Sequence, residues 1–200
     1  FWYKGKALPV EESSIKITAV PFLFSKGVKI KSSNLIYEWY VNFEKDINMS
    51  GAGKNSFVFN PQIYETEYTV SVKVSSLDSS VVFEKGITFD LEKNAPKIIF
   101  YENRPIEGVL YNNALNGETQ LNGGEISVKA EPYFFSKRNM GSLKYEWTMN
   151  GEGISPDEAP NIVTLRAEGG SGSANIGLKI NNPINILQFA EKFLQINYGQ

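Results

Sequence analysis

The sequence predicts an all-β protein: two tandem antiparallel β-sandwiches with little helix. Three observations carry that expectation. A segment ending Ile36-Tyr37-Glu38-Trp39 returns as Lys144-Tyr145-Glu146-Trp147, inside a repeat that spans nearly the whole 200-residue chain. The two copies lie about 110 residues apart, too long for a solenoid unit, which marks duplication of a whole domain. Apolar and polar residues alternate with period two in both copies, and Gly, Pro, Asn and Ser punctuate the runs, as short antiparallel strands require.

Element by element, Ile15–Val20 matches Ile126–Glu131 as the opening strand, each running into a proline, Pro21 or Pro132, expected to mark a bulge or strand switch because proline cannot donate a ladder hydrogen bond. Next come the tryptophan strands. Leu35, Tyr37, Trp39 and Val41 in copy one, and Leu143, Tyr145, Trp147 and Met149 in copy two, share one face and are assigned to core. Ile36 and Tyr40 fall on the opposite, solvent face, where copy two has Lys144 and Thr148. Ser56–Phe59 and Val163–Ala167 form another pair of strands. Tyr68, Val70, Val72 and Val74 alternate in the same way as Ala174, Ile176, Leu178 and Ile180. The last strands are Ile87–Leu91 and Phe193–Tyr198. Ile186, Leu187, Phe189, Ala190 and Phe193 also have helical spacing, so a short helical turn after Pro183 is entertained. Gly51, Gly53, Gly169, Gly170 and Gly172 are placed in loops. Residues 1–92 and 97–200 are the expected domains, joined by a short linker that Pro96 stiffens.

Tyr37-Glu38-Trp39 resembles the Tyr-x-Trp strand of the PKD-like branch of the immunoglobulin-like sandwiches, and Glu67-Tyr68-Thr69-Val70-Ser71-Val72 resembles that family's Tyr-Thr-Val strand. The resemblance covers both copies; in the second, Ala174 stands where Tyr68 does. It implies a core role for Tyr37, Trp39, Tyr68, Tyr145 and Trp147, and no activity. The segment Tyr3–Pro9 and the paired layout are more weakly similar to uncharacterised bacterial surface proteins built from such modules, which implies an extracellular or cell-surface location, with any secretion signal lying upstream.

Composition narrows the chemistry. Twenty Lys and Arg against 22 Asp and Glu give a net charge of −2, so there is no basic footprint for nucleic acid. No run approaches the roughly 18 apolar residues of a membrane span. The chain has neither Cys nor His, which removes Ser-His-Asp and Cys-His catalysis, thiolate sites and ordinary zinc binding. Asp46, Asp78, Asp90 and Asp157 have no calcium-loop spacing, and Glu11-Glu12 and Glu65-x-Glu67 are read as solvated faces or turns. Gly169-Gly170-Ser171-Gly172-Ser173 lacks the Gly-Lys-Ser/Thr ending of a phosphate loop and is read as a turn. Asn48-Met49-Ser50 fits a glycosylation sequon, and Lys137-Arg138 is a small basic loop. No catalytic residue, cofactor or metal is assigned, and no enzyme is expected.

Two differences between the copies point to partners. Copy two has a strand-like segment, Lys97–Glu102, with no counterpart in copy one. Either a longer parent accounts for this, or a neighbouring subunit or upstream segment supplies the strand, because an unpaired sheet edge is a template for another chain. Ile36 and Tyr40, extended by Trp2, form the candidate interface, and Phe22 and Phe24 could join it. Tyr133, Phe134 and Phe135 repeat Phe22, Leu23 and Phe24, however, and that repetition reads the cluster as mostly core. The expected function is a structural, adhesion or assembly module working through protein contacts or self-assembly at its sheet faces and edges. The alternative is a carbohydrate-binding module using exposed aromatics.

Overall fold

Alternating large apolar and polar side chains place both Tyr-Glu-Trp segments in strands, and each strand is paired on both sides within a sheet. In the computed structural model, which describes residues 8–156 and 159–199, the chain divides into two compact units. One is Glu11–Asn94; the other runs from Ala95 onward and includes residues 8–10.

In the first unit the strands are β1 (Ile15–Thr18), β2 (Phe24–Ser25), β3 (Val28–Lys29), β4 (Leu35–Val41), β5 (Glu44–Ala52), β6 (Ser56–Phe59), β7 (Glu67–Ser76) and β8 (Val82–Asp90). A four-stranded sheet in the order β5-β4-β7-β8 faces a two-stranded sheet, β1-β6, and β2-β3 is a separate hairpin. The second unit contains β9 (Lys97–Arg104), β10 (Gly108–Leu115), β11 (Glu118–Gln120), β12 (Glu125–Tyr133), β13 (Lys144–Met149), β14 (Glu152–Ile154), β15 (Ile162–Arg166), β16 (Gly172–Asn181) and β17 (Phe189–Tyr198). Its sheets run β10-β9-β12-β15 and β11-β17-β16-β13-β14, and all pairs are antiparallel except β11 with β17. Two antiparallel sheets joined in this order make each unit an immunoglobulin-like β-sandwich.

The cores lie between the sheets. Leu35, Tyr37 and Trp39 of β4 and Val70, Val72 and Val74 of β7 are buried with Phe57 of β6; Trp147, Ile176, Leu178, Ile180, Leu194 and Ile196 are buried with Phe100 and Val128. Burying a side chain of this size contributes about 2–3 kcal/mol. Each tryptophan also settles its one polar atom in the same way. Trp39 Nε1–H donates to the Lys54 carbonyl, and Trp147 Nε1–H to the Pro160 carbonyl, both at 2.9 Å and both two residues before the next strand of the opposing sheet.

The asparagine after each tryptophan strand is a second shared device. Asn42 and Asn150 adopt left-handed φ values of 47° and 52°. Asn42 N–H donates to the Thr69 carbonyl while its Oδ1 accepts from Thr69 N–H; Asn150 does the same with Asn175. Asparagine tolerates this backbone better than most residues. The next turn position is Gly151 in the second unit, at φ 87°, and Phe43 in the first, at φ 71°.

Several expectations are corrected. After Pro183 the chain makes a single hydrogen-bonded turn, Gln188 N–H to the Asn185 carbonyl at 2.9 Å, and no helix; residues 189–198 form β17, because partnering β16 puts Ala190, Leu194 and Ile196 inward and turns Phe189 and Phe193 out. The helical spacing there is incidental. Pro132 lies inside β12, opposite Ile98, without a register shift; shifts occur instead between Tyr37 and Trp39 and between Val109 and Ala114. Gly51 is within β5, and Gly172 begins β16. Met149 is exposed at the end of β13, and Val41 is only partly buried.

Candidate interaction site

The repeat makes the two units each other's control, and the comparison exposes an uncovered stretch in the first. Strand β8 pairs with β7 so that Phe83, Lys85 and Ile87 stand beside Val74, Val72 and Val70 on the inner, core-facing side. The same positions in β17, beside Ile180, Leu178 and Ile176, are Ala190, Lys192 and Leu194. Ala190 and Leu194 are 7% and 0% exposed, whereas Phe83 and Ile87 are 53% and 46% exposed. Identical sheet positions thus carry apolar side chains that are covered in one unit and open in the other.

Strand β9 accounts for the difference. It crosses the inner side of β17 with Ile98 and Phe100 buried, and Lys192 Nζ lies 5.6 Å from the centre of the Phe100 ring. Among the described residues of the first unit, no strand occupies that position. Strand β1 pairs with β6 alone, whereas its counterpart β12 pairs with β15 through Glu125–Lys129 and with β9 through Val128–Tyr133. Residues 131–133 therefore pair with β9 alone. In the first unit the matching residues Ala19–Phe22 are irregular, and β1 ends at Thr18.

The first unit nevertheless keeps its tryptophan covered. Phe57 of β6 stacks on Trp39 at 5.5 Å between ring centres, whereas in the second unit Phe100 of β9 stacks on Trp147 at 5.7 Å and the position matching Phe57 is Val163. The aromatic cover has moved from one strand to another. What stays open is the flank at Phe83 and Ile87.

The reading of Phe22 and Phe24 as mostly core is overturned: they are 67% and 57% exposed. Of residues 19–30, Ala19, Leu23 and Ile30 pack on the core. The physical reason is the same missing ladder, for without a partner strand nothing holds residues 19–22 in register with their counterparts. Lys26 and Gly27 make the left-handed turn between β2 and β3, and Lys29 Nζ lies 4.3 Å over the Phe22 ring.

Of the residues assigned from sequence, Trp2 lies outside the described residues. Ile36 and Tyr40 are half-buried on the outer face of β4, between β5 and β7, opposite Ser75 and Ser71 respectively. They are not brought together with Phe83 and Ile87, which face the other side of the sheet. Tyr37, Trp39, Tyr68 and Trp147 are buried, while Tyr145 is partly buried. Beginning the last strand of the first copy at Ile87 leaves Phe83 out; the alternation of Phe83, Lys85 and Ile87, opposite Val74, Val72 and Val70 of β7, is the available signal.

Polar clusters elsewhere are structural. In the second unit Tyr111 Oη–H donates to Glu131 at 2.9 Å, Lys129 lies 3.5 Å from the same carboxylate, and the hydroxyls of Tyr101 and Tyr133 are 3.3 Å apart. Burial, then the Glu131 contact, pushes the Tyr111 hydroxyl up to about 12, and burial with Tyr101 raises Tyr133 further. A cleft of about 600 Å³ between β9–β10 and β11–β12 is lined by Glu102, Glu107 and Glu125, but Arg104 engages the first two and Arg166 the third. Glu65 accepts from Asn42 Nδ2. Asp78 is held down to about 2 by the hydroxyls and amide of its own turn, Ser76 first. Among the described residues no helix is long and apolar enough to cross a membrane.

No protein-family model matches the sequence, and no curated protein sequence matches it. Solved structures similar to the chain include the fibronectin(III)-like modules of Clostridium thermocellum CbhA, at 14% identity over 95% of this chain and 87% of that one, TM-score 0.33. The three N-terminal domains of the bacteriophage RB49 outer capsid protein Hoc match at 13% over 94% and 55%, TM-score 0.45, and Sidekick-1 immunoglobulin domains 1–4 at 8% over 98% and 73%, TM-score 0.32. Sheet order and the matched cores define the chain as a tandem of immunoglobulin-like sandwiches.

Proposed function

We propose that the chain is a non-enzymatic interaction module of an extracellular or cell-surface protein, and that its first sandwich binds a protein partner by accepting an added strand. The supporting observation is the exposure of Phe83 and Ile87 on an inner sheet face whose counterparts, Ala190 and Leu194, are covered. Apolar groups on such a face gain roughly 25 cal/mol for each Å² removed from water, and the outer edge of β1 supplies main-chain donors and acceptors beside them. Carbohydrate binding is the second reading, favoured by the exposed Phe22 and Phe24. It is weaker, because Lys29 lies over the Phe22 ring on which a sugar would stack.

Selection of a displayed library of eight-residue peptides on the intact chain tests the reading. The expected result is enrichment of alternately apolar sequences whose binding is lost in a Phe83→Asp, Ile87→Asp double variant. Enrichment insensitive to that variant, or retention of glycans on an array with loss on Phe22→Ala, would sink it.

A further inference from the structure

We infer that the added strand runs antiparallel to β1, brings small aliphatic rather than aromatic residues to the core, and folds Ala19–Phe22 into the sheet as it binds. This rests on the reading above and specifies the partner: an extended segment of another protein, alternately aliphatic.

The direction and register come from the second unit. There β9 lies antiparallel to β12, with Phe100 opposite Ala130, Ile99 opposite Glu131 and Ile98 opposite Pro132. Ala19, Val20 and Pro21 are the matching residues of the first unit. Ala19 N–H donates to the Asn55 carbonyl on the β6 side, as Ala130 N–H does to Asn161, both at 2.8 Å. Backbone groups of successive residues in an extended chain point to opposite sides, so the amides of Lys16 and Thr18 point away from β6, toward the open edge, and that of Val20 would join them once Ala19–Phe22 extends. An incoming strand would bond them and carry the ladder on to Phe22. Its outward residue opposite Val20 would cover that exposed side chain.

Residue size follows from Phe57. In the second unit the strand residue opposite Ala130 is Phe100, which stacks on Trp147 above a small Val163. In the first unit Phe57 already fills that space against Trp39, and both are fully buried. A phenylalanine opposite Ala19 would overpack the site, whereas valine or isoleucine would reach Phe83 and Ile87 without displacing Phe57.

Peptides of residues 97–104, with the natural sequence and with Phe100→Val, are titrated into the full chain beside a scrambled control. Affinity and residue-resolved amide exchange are measured. The Phe100→Val peptide is expected to bind about tenfold tighter than the natural one. Exchange should slow at Lys16, Thr18, Val20 and Phe22, stay unchanged at Ala19, and revert in Phe83→Asp and in Ile87→Asp. Protection confined to β8 would mean addition at the other sheet's edge, overturning this inference while leaving strand acceptance intact. Tighter binding of the natural peptide, or no binding by either, also overturns it. So does protection that rises with chain concentration alone, which would identify a second copy as the occupant, or protection already present in the free chain, which would mean that the edge is not open.

Discussion

Replacing Phe57 with alanine tests whether the first sandwich is closed from within. Phe57 is fully buried, stacked on Trp39 at 5.5 Å and on Phe59 at 5.5 Å. Phe→Ala in a packed core costs about 3–5 kcal/mol through lost transfer energy and the remaining cavity, and no other aromatic covers Trp39 among the described residues. The matched change Val163→Ala removes about two methylene equivalents and costs about 1.6 kcal/mol. With a urea dependence of about 2 kcal/mol per molar for a domain of this size, Phe57→Ala should lower the midpoint of the first unit by about 2 M. Hydrogen exchange by mass spectrometry across a urea series reads the units separately, through fragments of β7 and of β16. A shift below about 1 kcal/mol in β7, or an equal shift in β16, would refute the reasoning: Phe57 would not be what lets the first core stand without a β9-like strand.

Two further outcomes are expected. Phe43→Gly relieves a left-handed backbone at φ 71° where the second unit has glycine; set against glycine's greater freedom when unfolded, the net gain is about 0.5 kcal/mol, or about 3 °C in melting temperature. A lower melting temperature would mean that the Phe43 ring contributes packing that outweighs the strain. The second unit should weaken in alkali. Tyr111 titrates near 12 when folded and near 10 when unfolded; the folded state therefore prefers the protonated phenol, its contribution is full below about pH 10, and it is lost as pH rises toward 12. Urea midpoints from pH 8 to 11.5 should fall more steeply in the native chain than in Tyr111→Phe, and parallel curves would contradict this.

Core periodicity was legible because it is local. Residues two apart on a strand share a face whatever the strand pairs with, so Tyr37 and Trp39, or Val70, Val72 and Val74, could be placed inward from their spacing. That copy one has no counterpart of Lys97–Glu102 was legible too, since a repeat exposes differences between its copies; among the described residues β1 pairs with β6 alone. The consequences were not. Phe22 and Phe24 match Tyr133 and Phe135 in sequence, yet they turn outward because side-chain direction depends on a ladder that residues 19–22 do not have.

The sequence by itself therefore determined the duplication, the all-β class, the inward tryptophans and the lack of any histidine or cysteine side chain. Only the tertiary structure decided that Phe57 replaces Phe100 as the aromatic cover, that Ile36 and Tyr40 lie half-buried away from the open flank, and that Phe83 and Ile87 stand uncovered. The reason is physical: alternation fixes which face of a strand a residue occupies, but whether that face is covered depends on strands far away in the chain.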